Sequence, residues 1–122
     1  MIKAIAIDDE PLALKVIQGL SNRSGAVDLI ETFTNQQKAK EFLFSQPVDL
    51  LFLDIQMPAQ NGISFYKSLN IQIPVIFTTA YSNYAIDGFN LDAVDYLLKP
   101  ISQERFDESL KKVKRTLTSK IC

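Results

Sequence analysis

Residues 51–58 read LFLDIQMP. Leu51, Phe52 and Leu53 run straight into a carboxylate, Asp54, and Met57-Pro58 then opens a polar loop that reaches Gly62. With Leu50 in front, the apolar run is continuous rather than alternating. That is the pattern of a strand covered on both faces, as in a parallel sheet. The carboxylate therefore stands at the tip of a buried strand, where the remainder of the chain must supply whatever it meets.

Four further β-rich runs share this character: Ile2–Ile7, Val27–Phe33, Val75–Thr79 and Ala93–Leu98. Successive runs lie about 20–25 residues apart, room for a crossover helix between parallel neighbours. The intervals carry helix signals. Pro11 stands where a first-turn proline is tolerated, followed by Leu12, Val16, Ile17 and Leu20 as one apolar face. Asn35 caps a second helix with Ala39, Phe42 and Leu43, and Asn61-Gly62 opens a third with Ile63, Phe65, Tyr66 and Leu69. Ser82 caps a fourth around Tyr84–Phe89, and Ser102 a last one with Phe106, Leu110, Val113 and Leu117. Pro47 and Pro74 stand just before the third and fourth strands, where a missing N–H costs little. The expectation is an α/β fold, a doubly wound (βα)5 unit with a five-stranded parallel sheet in the flavodoxin-like order 2-1-3-4-5. Its ligand crevice then lies at the carboxyl ends of the first and third strands.

Composition narrows the chemistry. The chain has 122 residues, 47% apolar and 22% charged, the proportions of one ordinary domain with a real core. A net charge of −1 excludes a global field that would draw in nucleic acid or anionic lipid. The lone cysteine, Cys122, excludes an intramolecular disulfide and fits a reducing, cytoplasmic setting. No apolar run approaches membrane-spanning length, so no membrane partner is expected. The chain has no histidine, which removes the commonest general base and any Ser-His or Cys-His dyad. Carboxylates, hydroxyls, lysines and a hard metal are left.

Those groups gather at one edge. The first strand ends in Asp8-Asp9-Glu10, the third in Asp54, the fourth in Thr78-Thr79 and the fifth in Lys99-Pro100. Each reads singly as a turn residue, a cap or a surface lysine. Together they place three carboxylates, a hydroxyl and an ammonium around one switch point. Clustered carboxylates repel unless a cation intervenes, and Mg²⁺ takes oxygen ligands of this type. Carboxylate, Mg²⁺, lysine and hydroxyl form a set suited to phosphoryl transfer, with a carboxylate as the nucleophile.

On "DDE", "LDIQMPAQNG", "FTTA" and "DYLLKP", in that order, the sequence resembles the receiver domain of two-component response regulators over about residues 2–118. The stretch "FTTAYSNYAIDGFNLDAVDYLLKP" is similar to receivers of the LytR/AlgR type, which usually precede a DNA-binding domain of the LytTR kind. The resemblance implies Asp54 as phosphoacceptor, with Asp9 a direct Mg²⁺ ligand and Asp8 acting mainly through metal-bound water. It implies a backbone carbonyl ligand from Gln56, a phosphate-contacting Lys99 and a switch pair in Thr79 and Tyr96. It matches Pro100 to a proline often preceded by a cis bond, and Gln56 and Tyr81 to positions that tune phosphate lifetime. The whole of 1–122 then reads as one receiver domain, the N-terminal part of a longer regulator. Its partners are a sensor histidine kinase and, on phosphorylation, a second copy of itself. It touches DNA only through an absent C-terminal domain, and its chemistry is Mg²⁺-dependent self-phosphorylation and autodephosphorylation rather than turnover.

Two other readings share parts of this pattern. A phosphatase of the haloacid dehalogenase type wants a second Asp two residues after the nucleophile, where this chain has Gln56. A flavodoxin-like or Rossmann cofactor binder wants a glycine- or hydroxyl-rich loop after the first strand, where this chain has DDEPLA. In the last helix, Arg105, Lys111, Lys112, Lys114, Arg115 and Lys120 read as a solvated face or a linker.

Overall fold

The computed structural model describes residues 1–81 and 93–121. Its strands are β1 (Ile2–Ile7), β2 (Val27–Phe33), β3 (Leu50–Asp54), β4 (Val75–Thr79) and β5 (Asp95–Leu98). Its helices are α1 (Pro11–Ser24), α2 (Gln36–Ser45), α3 (Gly62–Leu69) and α4 (Gln103–Ile121). All strand pairs are parallel and the order is β2-β1-β3-β4-β5, as the sequence predicts. The helix expected around Tyr84–Phe89, capped by Ser82, lies outside the described residues.

Side chains alternate across the sheet and fill two cores. Ala4, Ala6, Leu50, Phe52, Ile76 and Leu97 pack against α1 and α4, where Phe52 stacks on Phe106 with ring centres 5.3 Å apart. Ile5, Ile7, Leu51, Leu53, Val75 and Phe77 pack against α2 and α3. Both faces of β3 are covered, which is why its run is apolar throughout.

The caps are those the sequence marks. Asn35 Oδ1 accepts from the Lys38 N–H at 2.9 Å, and Asn61 Oδ1 from the Ile63 N–H at 2.7 Å. Ser102 Oγ accepts from the Arg105 N–H at 3.1 Å. Pro11 opens α1, and Gly25 closes it at φ 67°, a left-handed position that glycine takes without a Cβ clash. The Lys99–Pro100 peptide is cis.

The apolar face of α1 keeps Ile17 and Leu20 of the expected row but takes Leu14 in place of Leu12 and Val16. Leu14, Ile17 and Leu20 face the sheet, whereas Leu12 is 72% and Val16 49% exposed. A row with helical spacing can be drawn through either set. The 14-17-20 row faces the sheet, and Leu12 and Val16 flank the carboxyl edge instead.

Candidate functional site

Register builds the site. Ile7 pairs with Leu53 and Asp54 with Thr78, so the residues that follow β1, end β3 and follow β5 meet at one edge. The Asp8 N–H still donates to Phe33 O at 3.0 Å, which fixes Asp8 one step beyond the strand. By alternation Asp8 continues the row of Ala4 and Ala6, and Asp54 the row of Leu50 and Phe52, so both carboxylates face the α1–α4 side. Lys99 continues the Leu97 row and arrives on the same side.

Lys99 Nζ bridges the two acids, 2.9 Å from Asp8 Oδ2 and 3.3 Å from Asp54 Oδ1. Asp8 Oδ1 accepts the Glu10 N–H at 3.0 Å, so both Asp8 oxygens are committed. Asp9 is exposed, and one carboxylate oxygen from each of Asp8, Asp9 and Asp54 lies within 4.8 Å of the others. Three negative groups thus face one ammonium, while Asp8 and Asp54 are only 4% and 3% exposed.

The electrostatics follow from burial. Desolvation, then the neighbouring Asp8 charge, push the Asp54 carboxyl from 3.8 up to about 6, against the pull of Lys99. Burial pulls the Lys99 ammonium down, but the hydrogen bond and charge of Asp8, followed by Asp54, outweigh it and hold its pKa above the ordinary value. The site is short of positive charge. The oxygen-only donor set and the surplus of carboxylate fit a hard divalent cation.

Gly62 holds the loop against this edge. A Cβ there would lie 2.1 Å from the Asp54 carbonyl oxygen, and the Gly62 N–H donates to Ile55 O at 2.8 Å. Only hydrogen in place of a side chain lets α3 begin this close to the tip of β3.

Thr79 falls on the opposite face, in the row of Phe77. Its backbone carbonyl accepts from the Lys99 N–H at 2.7 Å, but its hydroxyl is bonded to neither the Asp54 carboxylate nor the Lys99 ammonium. Its hydroxyl donates to Gln56 Oε1 at 3.0 Å and accepts from the Tyr81 N–H at 3.0 Å. Tyr96 is half-buried, its ring stacked on Phe77 with centres 5.3 Å apart, and burial raises its pKa.

One cluster is absent from the sequence reading. Asp95, at the start of β5, accepts from both terminal nitrogens of Arg105 at 2.7 Å each, from Ser109 Oγ, and from Lys112 Nζ at 3.2 Å. Burial alone would raise its pKa, but these donors hold it well below the ordinary carboxylate range. Arg105 and Lys112 therefore tie α4 to β5 rather than form a solvated face.

Residues 4–111 match the response regulator receiver domain family. Over 115 residues the chain is 39% identical to the sensory transduction protein LytR of Staphylococcus epidermidis, covering 92% of this chain and 46% of that protein. It is 36% identical to the sensory transduction protein LytT of Bacillus anthracis, covering 99% of this chain and 50% of that one. The chain thus spans about half the length of the curated relatives it matches. Among solved structures, the response regulatory domain of protein mrkE from Klebsiella pneumoniae superposes with a TM-score of 0.85 at 28% identity, covering 97% of this chain and 99% of that one.

Proposed function

The chain belongs to the response regulator receiver domain family, and on that premise we propose that Asp54 is the residue that takes up the phosphoryl group. The supporting observation is the Asp54 carboxylate itself, 3% exposed at a strand tip, 3.3 Å from the Lys99 ammonium and crowded by Asp8 and Asp9. The chain has no histidine, so the phosphohistidine donor is another protein, a sensor histidine kinase. An Asp54 oxygen attacks phosphorus. The O–P bond forms as the donor's N–P bond breaks, and the leaving imidazole nitrogen keeps the electron pair.

Asp8, Asp9, Asp54 and the Gln56 backbone carbonyl would hold Mg²⁺, which supplies charge neutralisation to the carboxylates and the incoming phosphoryl group. Lys99, already bridging Asp8 and Asp54, contacts a phosphoryl oxygen. The Thr79 hydroxyl moves toward the new acceptor, and Tyr96 turns inward. The surface that includes β5 and α4 changes and favours a homodimer. The chain's chemistry is confined to its own self-phosphorylation and autodephosphorylation. In this reading residues 1–122 are the receiver part of a cytoplasmic transcription regulator, and DNA is reached through an attached LytTR-type domain. Among the described residues no helix is long and apolar enough to cross a membrane.

Beryllofluoride, which mimics an aspartyl phosphate, tests this reading in one experiment. With Mg²⁺ it should raise the melting temperature and shift sedimentation toward dimer in the wild type, and do neither in Asp54→Asn. An equal rise in both proteins contradicts the site. A rise with no dimer contradicts only the dimer.

A further inference from the structure

The Thr79 hydroxyl has one proton, and in this structure that proton is in use. Thr79 Oγ1 accepts from the Tyr81 N–H and donates to Gln56 Oε1, both at 3.0 Å. A second acceptor, Tyr81 O, lies at 3.4 Å, too far to compete on equal terms. Thr79 is 1% exposed, so water does not replace either partner. The other half of the Gln56 amide is stranded: Nε2 is buried with no hydrogen-bond partner among the described residues. A buried donor left unmade is costly, so Gln56 does not hold this pose by satisfying itself. Oε1 is its anchor, and the anchor is Thr79. Gln56 lines the same cleft as Asp54, Lys99 and Tyr81, a space of about 440 Å³.

We propose that the Gln56 side chain is a latch on Thr79, holding the hydroxyl proton at Oε1 until Thr79 surrenders that bond to donate to a phosphoryl oxygen on Asp54. One proton cannot serve both acceptors. The resting pairing therefore opposes the switch, and phosphorylation has to outcompete it. When Thr79 leaves, the amide is no longer anchored and Nε2 turns to water in the cleft, which relieves the unmade bond. Gln56 is here a positioning residue, and its side-chain role is separate from the backbone carbonyl assigned to the metal. The latch rests on the reading of Asp54 as phosphoacceptor.

The test has two arms on the same variants, Gln56→Met, Thr79→Val and the double. The Met thioether keeps the length of the side chain and is a poor acceptor. Gln56→Leu repeats each measurement with no acceptor at all. In the first arm, denaturant unfolding without any phosphoryl mimic should show non-additive losses, the double variant losing less than the sum of the singles. In the second arm, beryllofluoride is titrated with Mg²⁺ present. Gln56→Met should bind it about fivefold tighter than wild type, the worth of one neutral hydrogen bond that no longer has to break. In the Thr79→Val background the same substitution should change nothing. Additive stabilities, an unchanged or weaker affinity in Gln56→Met, or equal tightening in both backgrounds would each overturn the latch. A wild type that takes up no beryllofluoride would instead overturn the phosphoacceptor reading, and with it the purpose of the latch.

Discussion

Asp54 is a carboxylate placed where folding works against its charge. Its pKa stands at about 6 against 3.8 for the ordinary group, chiefly because burial removes water, with Asp8 adding repulsion. The folded state therefore binds this proton more tightly than the unfolded state. Stability from the group is fully present below about pH 4 and is lost as pH rises through about 6. The difference of the two values corresponds to at most about 3 kcal/mol at neutral pH. In the presence of a chelator, Asp54→Asn should melt above wild type at neutral pH, and the gap should shrink as pH falls toward 4. A gap independent of pH, followed by thermal melts across that window, would mean that burial does not strain this carboxylate. The residues that meet here were legible as a set, because Asp8, Asp9, Asp54 and Lys99 each end or follow an apolar run. The Thr79–Gln56 pair was not. It depends on Thr79 at the end of β4 and Gln56 in the loop after β3 turning toward each other at an edge, and spacing along the chain does not encode that.

At the scale of elements, close approach decides what the site can be. The first residue of α3 touches the backbone of the last residue of β3, and Gly62 allows it. Gly62→Ala should cost about 1–3 kcal/mol by overpacking against a backbone atom that cannot move aside cheaply. It should also shift the β3 tip, so that Mg²⁺ raises its melting temperature much less than that of wild type. Leu110→Ala, a comparable loss in the α4 core, supplies the control and should keep the full Mg²⁺ response. Equal responses in the two variants would separate Gly62 from the site. Strands were readable here because burial on both faces makes them apolar throughout. β5 begins two residues later than its apolar run, at Asp95, because Ala93 and Val94 precede the ladder. On α1, Ile17 and Leu20 were legible, whereas Leu12 and Val16 share helical spacing with them and only packing chooses Leu14 instead. The Asp95 network was unread for a further reason. Arg105, Ser109 and Lys112 share a face by their i, i+4, i+7 spacing, but nothing in the sequence says that this face meets Asp95 at the start of β5, where together they fix the helix to the sheet edge.

For the whole molecule, a net charge of −1 hides a strong local imbalance, three carboxylates against Lys99 at one end of the sheet. The sheet order puts that imbalance at the switch point between β1 and β3, with a packed core on either face of the sheet behind it. The Tyr96–Phe77 stack lies on the opposite face of the sheet from the acids, and Thr79 continues the Phe77 row, while its partner Gln56 lines the cleft that holds Asp54 and Lys99. The account stands on Asp54 being the group modified. The direct measurement is peptide mapping by mass spectrometry after treatment with acetyl phosphate and Mg²⁺, with wild type and Asp54→Asn compared. The account predicts one phosphoryl group per chain, on the peptide that contains Asp54, and none on the variant. Equal phosphorylation of Asp54→Asn, or a phosphoryl group mapped to any other residue of the wild type, would contradict it.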